Sequence, residues 1–118
     1  MALARLSILV FPETGKTWTA RSLEHDLAAA GRTAGAAIDT LVKIAQAHIV
    51  FDTRHGHEPL SAFRAAPQLY WNAFARSEKT SQLMEVRREE SGTQLQCFVG
   101  IAPQNPILSS VPRPIRIA

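Results

Sequence analysis

The sequence predicts an α+β domain: a small antiparallel sheet with one long helix packed on it, a second helix and a C-terminal β-hairpin. Three observations predict it. Residues 6–11 (LSILVF) form an apolar run that a Pro/Gly turn stops. From Ala34 onward, apolar residues recur at helical spacing. Near the end, Leu95, Cys97, Val99 and Ile101 share one strand face at a period of two.

The first strand has apolar residues on both alternating sets, Leu6, Ile8 and Val10 against Leu9 and Phe11. Such a strand is covered on both faces. Pro12 to Lys16 supply a hairpin connection. The second strand spans 17–23, with Trp18 and Ala20 facing one way and Thr19 and Arg21 the other. Glu24, His25 and Asp26 make a polar corner, and 27–30 return as a short strand that Gly31 breaks.

Thr33 is a natural N-cap. Behind it Ala37, Ile38, Leu41, Val42, Ile44, Ala45 and Ile49 share one helix face, and Asp39 and Lys43 form a favourable i,i+4 pair opposite. The helix is expected to end near Arg54, with Gly56 as its stop. Pro67 opens a second helix, PQLYWNAFARSEK. Strands are expected over 83–89 and 94–101, joined by a turn at Ser91-Gly92. The segment from Pro103 on holds four of the seven prolines and reads as an extended tail. One domain is expected over 1–102, with its core in 5–55 and a helix-and-hairpin extension in 66–102. The tail is then 103–118.

With 118 residues there is room for a single modest core. The net charge of +3 comes from interspersed acidic and basic residues, too weak a field to point to nucleic acid alone. Cys97 is the only cysteine, which excludes an internal disulfide and suggests a reducing compartment. The first apolar run is short for a signal-peptide core, and no run reads as a membrane span. A soluble, cytoplasmic protein with no membrane contact is expected.

Several motifs resemble chemistry but fall short of it. Gly15-Lys16-Thr17 follows a strand as a phosphate loop would. The glycine such a loop needs five residues earlier is Val10, and a strand pattern follows, so a hairpin turn is expected. His48, Asp52, His55 and His57 are metal-ligand types, but His48 lies on the apolar helix side and the last two lie past the helix end. Glu24, His25 and Asp26 are adjacent on an extended chain and cannot converge. Cys97 falls at an apolar strand position and reads as core. Arg87 and Arg88 point oppositely in a strand and are offset by Glu85, Glu89 and Glu90. With Arg113 and Arg116 they leave nucleic-acid binding as a secondary reading. No catalytic residue, metal ligand or cofactor site is therefore expected, and the chain is read as a non-enzyme. An enzyme using His25 or the His55/His57 pair is a third possibility.

Aromatic residues cluster around the second helix. Phe63, Tyr70, Trp71 and Phe74 are many for a thin sheet to bury. With Ile107 and Leu108 they are the candidate partner interface, and a homo-oligomer is expected. The tail could also add to a neighbouring chain's sheet edge.

The stretch WTARSLEHDLAAAGRTAGAAIDTLVKIAQAHI, preceded by LSILVF, resembles the HicB-like antitoxin superfamily. The matching features are the opening hairpin, aromatic Trp18 at the start of the second strand, and Gly31-Arg32-Thr33 before the helix. The resemblance covers about the first 50 residues. Ala34 and Gly35 stand where the family carries acidic residues, and only one helix follows Gly56 where many members carry a DNA-binding module. The resemblance implies a helix packed on a small sheet. As activity it implies steric masking of a small basic ribonuclease toxin of the HicA type.

Overall fold

The computed structural model describes residues 2–13, 15–85 and 93–107. The chain runs β1 (Ala2–Pro12), β2 (Trp18–Ser22), β3 (Leu27–Gly31), α1 (Ala34–Arg54), α2 (Gln68–Arg76), β4 (Lys79–Glu85) and β5 (Thr93–Ile101). The strands form one sheet in the order β3-β2-β1-β5-β4.

The α+β class, the long helix on a sheet, the second helix and the C-terminal hairpin are all present. The sheet, however, is mixed. β1 pairs antiparallel with β2, Leu9 opposite Arg21, but parallel with β5, Leu6 opposite Cys97. The β4–β5 hairpin is antiparallel within itself. It enters the sheet after a crossover that includes both helices, and long crossovers are what parallel neighbours require. The two-sided apolar pattern of β1 fits this central position.

Leu6, Ile8 and Val10 face α1 and are fully buried with Ala20, Leu95 and Cys97. Leu9 and Phe11 face α2 and are buried with Leu23, Tyr70 and Phe74. Two cores thus share one strand. Each fully buried Leu, Ile or Phe contributes about 1.5–3 kcal/mol, so β1 ties together most of the stabilising burial.

The start of α1 follows from two residues. The Thr33 hydroxyl accepts the Ala36 amide at 3.0 Å, capping a first turn that has no acidic residue. Gly31 lets the helix start close to the sheet: a Cβ there would lie 2.6 Å from the Ala37 nitrogen. The helix ends at Arg54, and Gly56 follows at φ +71°. By length and composition alone α1 is apolar enough to cross a membrane, with mean hydropathy 1.2. This corrects the expectation that no run approaches a span. In the fold its Ala37, Leu41, Val42, Ala45 and Ile49 lie against the sheet, and its outer side carries the Asp39–Lys43 ion pair at 2.9 Å.

Three other differences concern the second half. α2 stops at Arg76, where Ser77 becomes extended and its hydroxyl donates to the Phe74 carbonyl at 2.7 Å. β4 therefore begins at Lys79, earlier than the strand expected over 83–89. The turn expected at Ser91-Gly92 lies outside the described residues. The chain also stays packed beyond 102. Ala102 N–H donates to the Val10 carbonyl at 2.8 Å, Asn105 donates to the Glu13 carboxylate at 3.1 Å, and Pro106 is buried.

Candidate functional site

Among the described residues, those singled out in the sequence do not converge. The turn at Gly15-Lys16-Thr17 closes the β1–β2 hairpin, with Glu13 N–H donating to the Thr17 carbonyl at 2.8 Å and Gly15 at φ +74°. It offers no helix N-terminus to a phosphate.

The polar corner splits as strand geometry requires. The Glu24 carboxylate accepts from the Ser7 amide and the Ser7 hydroxyl, both at 2.6 Å. The Asp26 carboxylate takes two bonds from Arg21, at 2.7 and 3.0 Å. That pairing raises the Arg21 pKa above its ordinary value, against the lowering effect of burial. His25 Nδ1 is buried without a hydrogen-bond partner among the described residues.

The histidines past α1 also separate. His48 meets the edge of Phe63 at 4.9 Å between ring centroids. His55 stacks on Phe51 at 4.1 Å, and its Nδ1 lies 2.8 Å from the Phe51 carbonyl oxygen. His55 and His57 are exposed, with ring centroids 6.4 Å apart. Asp52 turns inward and accepts the Leu60 amide at 2.7 Å. Among the described residues no three His, Cys, Asp or Glu side chains group as a metal would need. Cys97 is buried, and desolvation pushes its thiol up to about 11. Arg87, Arg88, Arg113 and Arg116 lie outside the described residues.

The aromatic cluster is divided between the two cores. Tyr70 and Phe74, one helical turn apart, point from α2 into the second core, Tyr70 stacking on Phe11 at 6.1 Å. They are buried, so they offer no surface to a partner. Phe63 is half-buried against the first core, on the α1 side. Trp71 is half-buried at the margin of the second core, and Ile107 is exposed. Leu108 lies outside the described residues.

What the sequence did not single out lies beside α2. That helix packs on Leu9 and Phe11, the upper part of its sheet face. Register places Arg5 opposite Gln96 and Ser7 opposite Phe98, lower on the same face. There Phe98 and Gln96 are only half-buried and the Arg5 side chain is 61% exposed. The Arg5 guanidinium sits 4.3 Å over the Phe98 ring and 3.6 Å from the Glu24 carboxylate. Ser7 was the available signal, as the one polar residue within the apolar run 6–11.

Compared with family models, with curated proteins and with solved structures, the chain matches none.

Proposed function

We propose that this chain is a non-enzymatic protein-binding module that associates with a second copy of itself through the sheet face around Phe98. The observation that carries the reading is the arrangement of Arg5, Phe98 and Glu24. An aromatic ring, a cation over it and an anion beside it lie together on a face that α2 leaves partly open. A two-fold copy would set Arg5 of each chain against Glu24 of the other, as self-complementary interfaces require. Half-buried Trp71 extends the apolar part of that surface.

The likeness to HicB-like antitoxins belongs to the same proposal. The hairpin, the third strand ending at Gly31, the Thr33 cap and the long helix occur in the order that resemblance implies. On this reading the protein is cytoplasmic and covers the active face of a small basic ribonuclease of the HicA type. Two experiments test it. Light scattering on the full chain at micromolar concentration is expected to give a dimer, and Phe98→Asp with Arg5→Glu a monomer with unchanged circular dichroism. For the antitoxin role, co-expression with a HicA-type ribonuclease is expected to restore growth of the host. A wild-type monomer defeats the first reading, and unrelieved toxicity defeats the second.

A further inference from the structure

Past the end of α1 the chain turns on the helix's own carbonyls. The amides of His55, Gly56 and His57 donate to the carbonyls of Phe51, Thr53 and Asp52, at 3.1, 3.2 and 2.8 Å. Gly56 sits between the two histidines at φ +71°. These bonds hold His55-Gly56-His57 as a fixed turn at the negative end of the α1 dipole, where cations are favoured. Both histidines are exposed, and exposed Arg54 and Glu58 flank them with opposite charges.

The His55 ring is oriented by two contacts. It stacks on the exposed Phe51 ring at 4.1 Å, with 27° between the planes. Its Nδ1 lies 2.8 Å from the Phe51 carbonyl oxygen, which can only accept, so Nδ1 carries the proton. In the neutral ring the lone pair is then on Nε2, ready to ligate. A backbone carbonyl on the other nitrogen is the partner that metal-binding imidazoles use to fix tautomer and orientation. The His57 ring lies 6.4 Å away, centroid to centroid. With metal–nitrogen bonds of about 2.1 Å, an ion sits about 3.2 Å from each ring centroid, so two rings sharing it lie at most about 6.4 Å apart. The pair stands at that limit, and a turn of exposed His57 about its side-chain torsions closes it.

We infer that His55 and His57 form a two-imidazole site for a divalent transition ion of the Ni²⁺, Cu²⁺ and Zn²⁺ kind, which imidazole suits. No third His, Cys, Asp or Glu joins them among the described residues, so the site is not a closed structural centre. Water completes the coordination, which leaves the ion exchangeable and open to a further ligand. Mg²⁺ and Ca²⁺, which take oxygen ligands, do not suit it. α1 covers the sheet face opposite Phe98, so the inference does not depend on the proposed self-association.

The test titrates the full chain, free of any histidine tag, with Ni²⁺ at neutral pH, by calorimetry and by amide NMR. One ion per chain is expected, with the signals of His55, Gly56 and His57 broadened first and those of Ile8 and Leu95 last. His55→Gln and His57→Gln are each expected to weaken binding by about tenfold or more, while the amide shifts of Ile49 and Leu60 stay in place. His25→Gln and His48→Gln are expected to leave the affinity unchanged, and Mg²⁺ to give no binding. In denaturing urea the wild-type affinity is expected to fall by about tenfold or more, because the fixed turn is lost. A folded wild type that does not bind Ni²⁺ would overturn the inference, as would binding that survives both substitutions. Equal affinity in the folded and unfolded chain would also overturn it, by leaving only an adventitious chelate of the bare sequence.

Discussion

The Asp52 carboxylate accepts the backbone amide of Leu60 at 2.7 Å, across the loop that leaves α1. Leu60 is fully buried in the first core and holds φ at +63°, a conformation that disfavours a branched side chain. The Asp52 carbonyl also accepts from His57 at 2.8 Å. One residue in the last turn of the helix thus fixes the turn of the following loop and places Leu60 in the core. Asp52→Ala is expected to cost about 2–3 kcal/mol, since it strands a buried amide that had a charged partner. Asp52→Asn keeps an acceptor and should cost less than half of that. Urea unfolding of both variants checks the order.

Close approach of the helices depends on two glycines. A Cβ on Gly31 would meet the backbone of α1. One on Gly100 would run into the Ser77 hydroxyl and lie 3.1 Å from the Phe74 ring. Gly31→Ala faces rigid backbone and is expected to lose about 1–3 kcal/mol. Gly100→Ala faces side chains that can turn aside, so its loss should be smaller. A Gly100 variant that is the worse of the two in thermal unfolding would contradict this account of how α1 and α2 seat.

Cys97 should resist alkylation at pH 8 in the folded protein and react fully in denaturant, because burial holds its thiol neutral. The folded pKa of about 11 exceeds the ordinary thiol value of 9.0, so the unfolded chain releases this proton first. Stability from this group is therefore intact below pH 9 and falls as pH rises from 9 to 11. Cys97→Ala should flatten that part of the pH profile. An equal slope in both proteins would assign it to other groups.

The Ser7–Glu24 pair ties the β2–β3 corner to the central strand through two short hydrogen bonds. Removing the carboxylate leaves the amide and hydroxyl of a buried serine unpaired. Glu24→Ala is expected to destabilise by about 2–3 kcal/mol. The Ser7→Ala, Glu24→Ala cycle should give a coupling of about 1 kcal/mol or more. A cycle that closes within error would mean the two residues act independently.

Local patterns announce local structure in this chain. The cap at Thr33, the end of α1 before Gly56 and the two faces of β1 all follow from side-chain periodicity and turn chemistry within a few residues. The parallel pairing of β1 with β5 joins segments just over ninety residues apart, Leu6 to Cys97. Nothing within either strand specifies that partner. The candidate surface escaped for the same reason. Arg5, Glu24 and Phe98 are distant in sequence and meet only through sheet register. The aromatic density around Tyr70 correctly marks a packing surface, but a helix periodicity alone cannot tell a partner's sheet from the chain's own.

The proposed dimer joins two copies of this 12.9 kDa chain through the Phe98 face. Sedimentation velocity of the full chain, run from low to high micromolar concentration beside the Arg5→Glu, Phe98→Asp variant, tests it most directly. A wild-type boundary at twice the chain mass, reduced to one chain mass in the variant, is the predicted result. A single-chain boundary for the wild type at every concentration, or a dimer that the variant leaves intact, would contradict it.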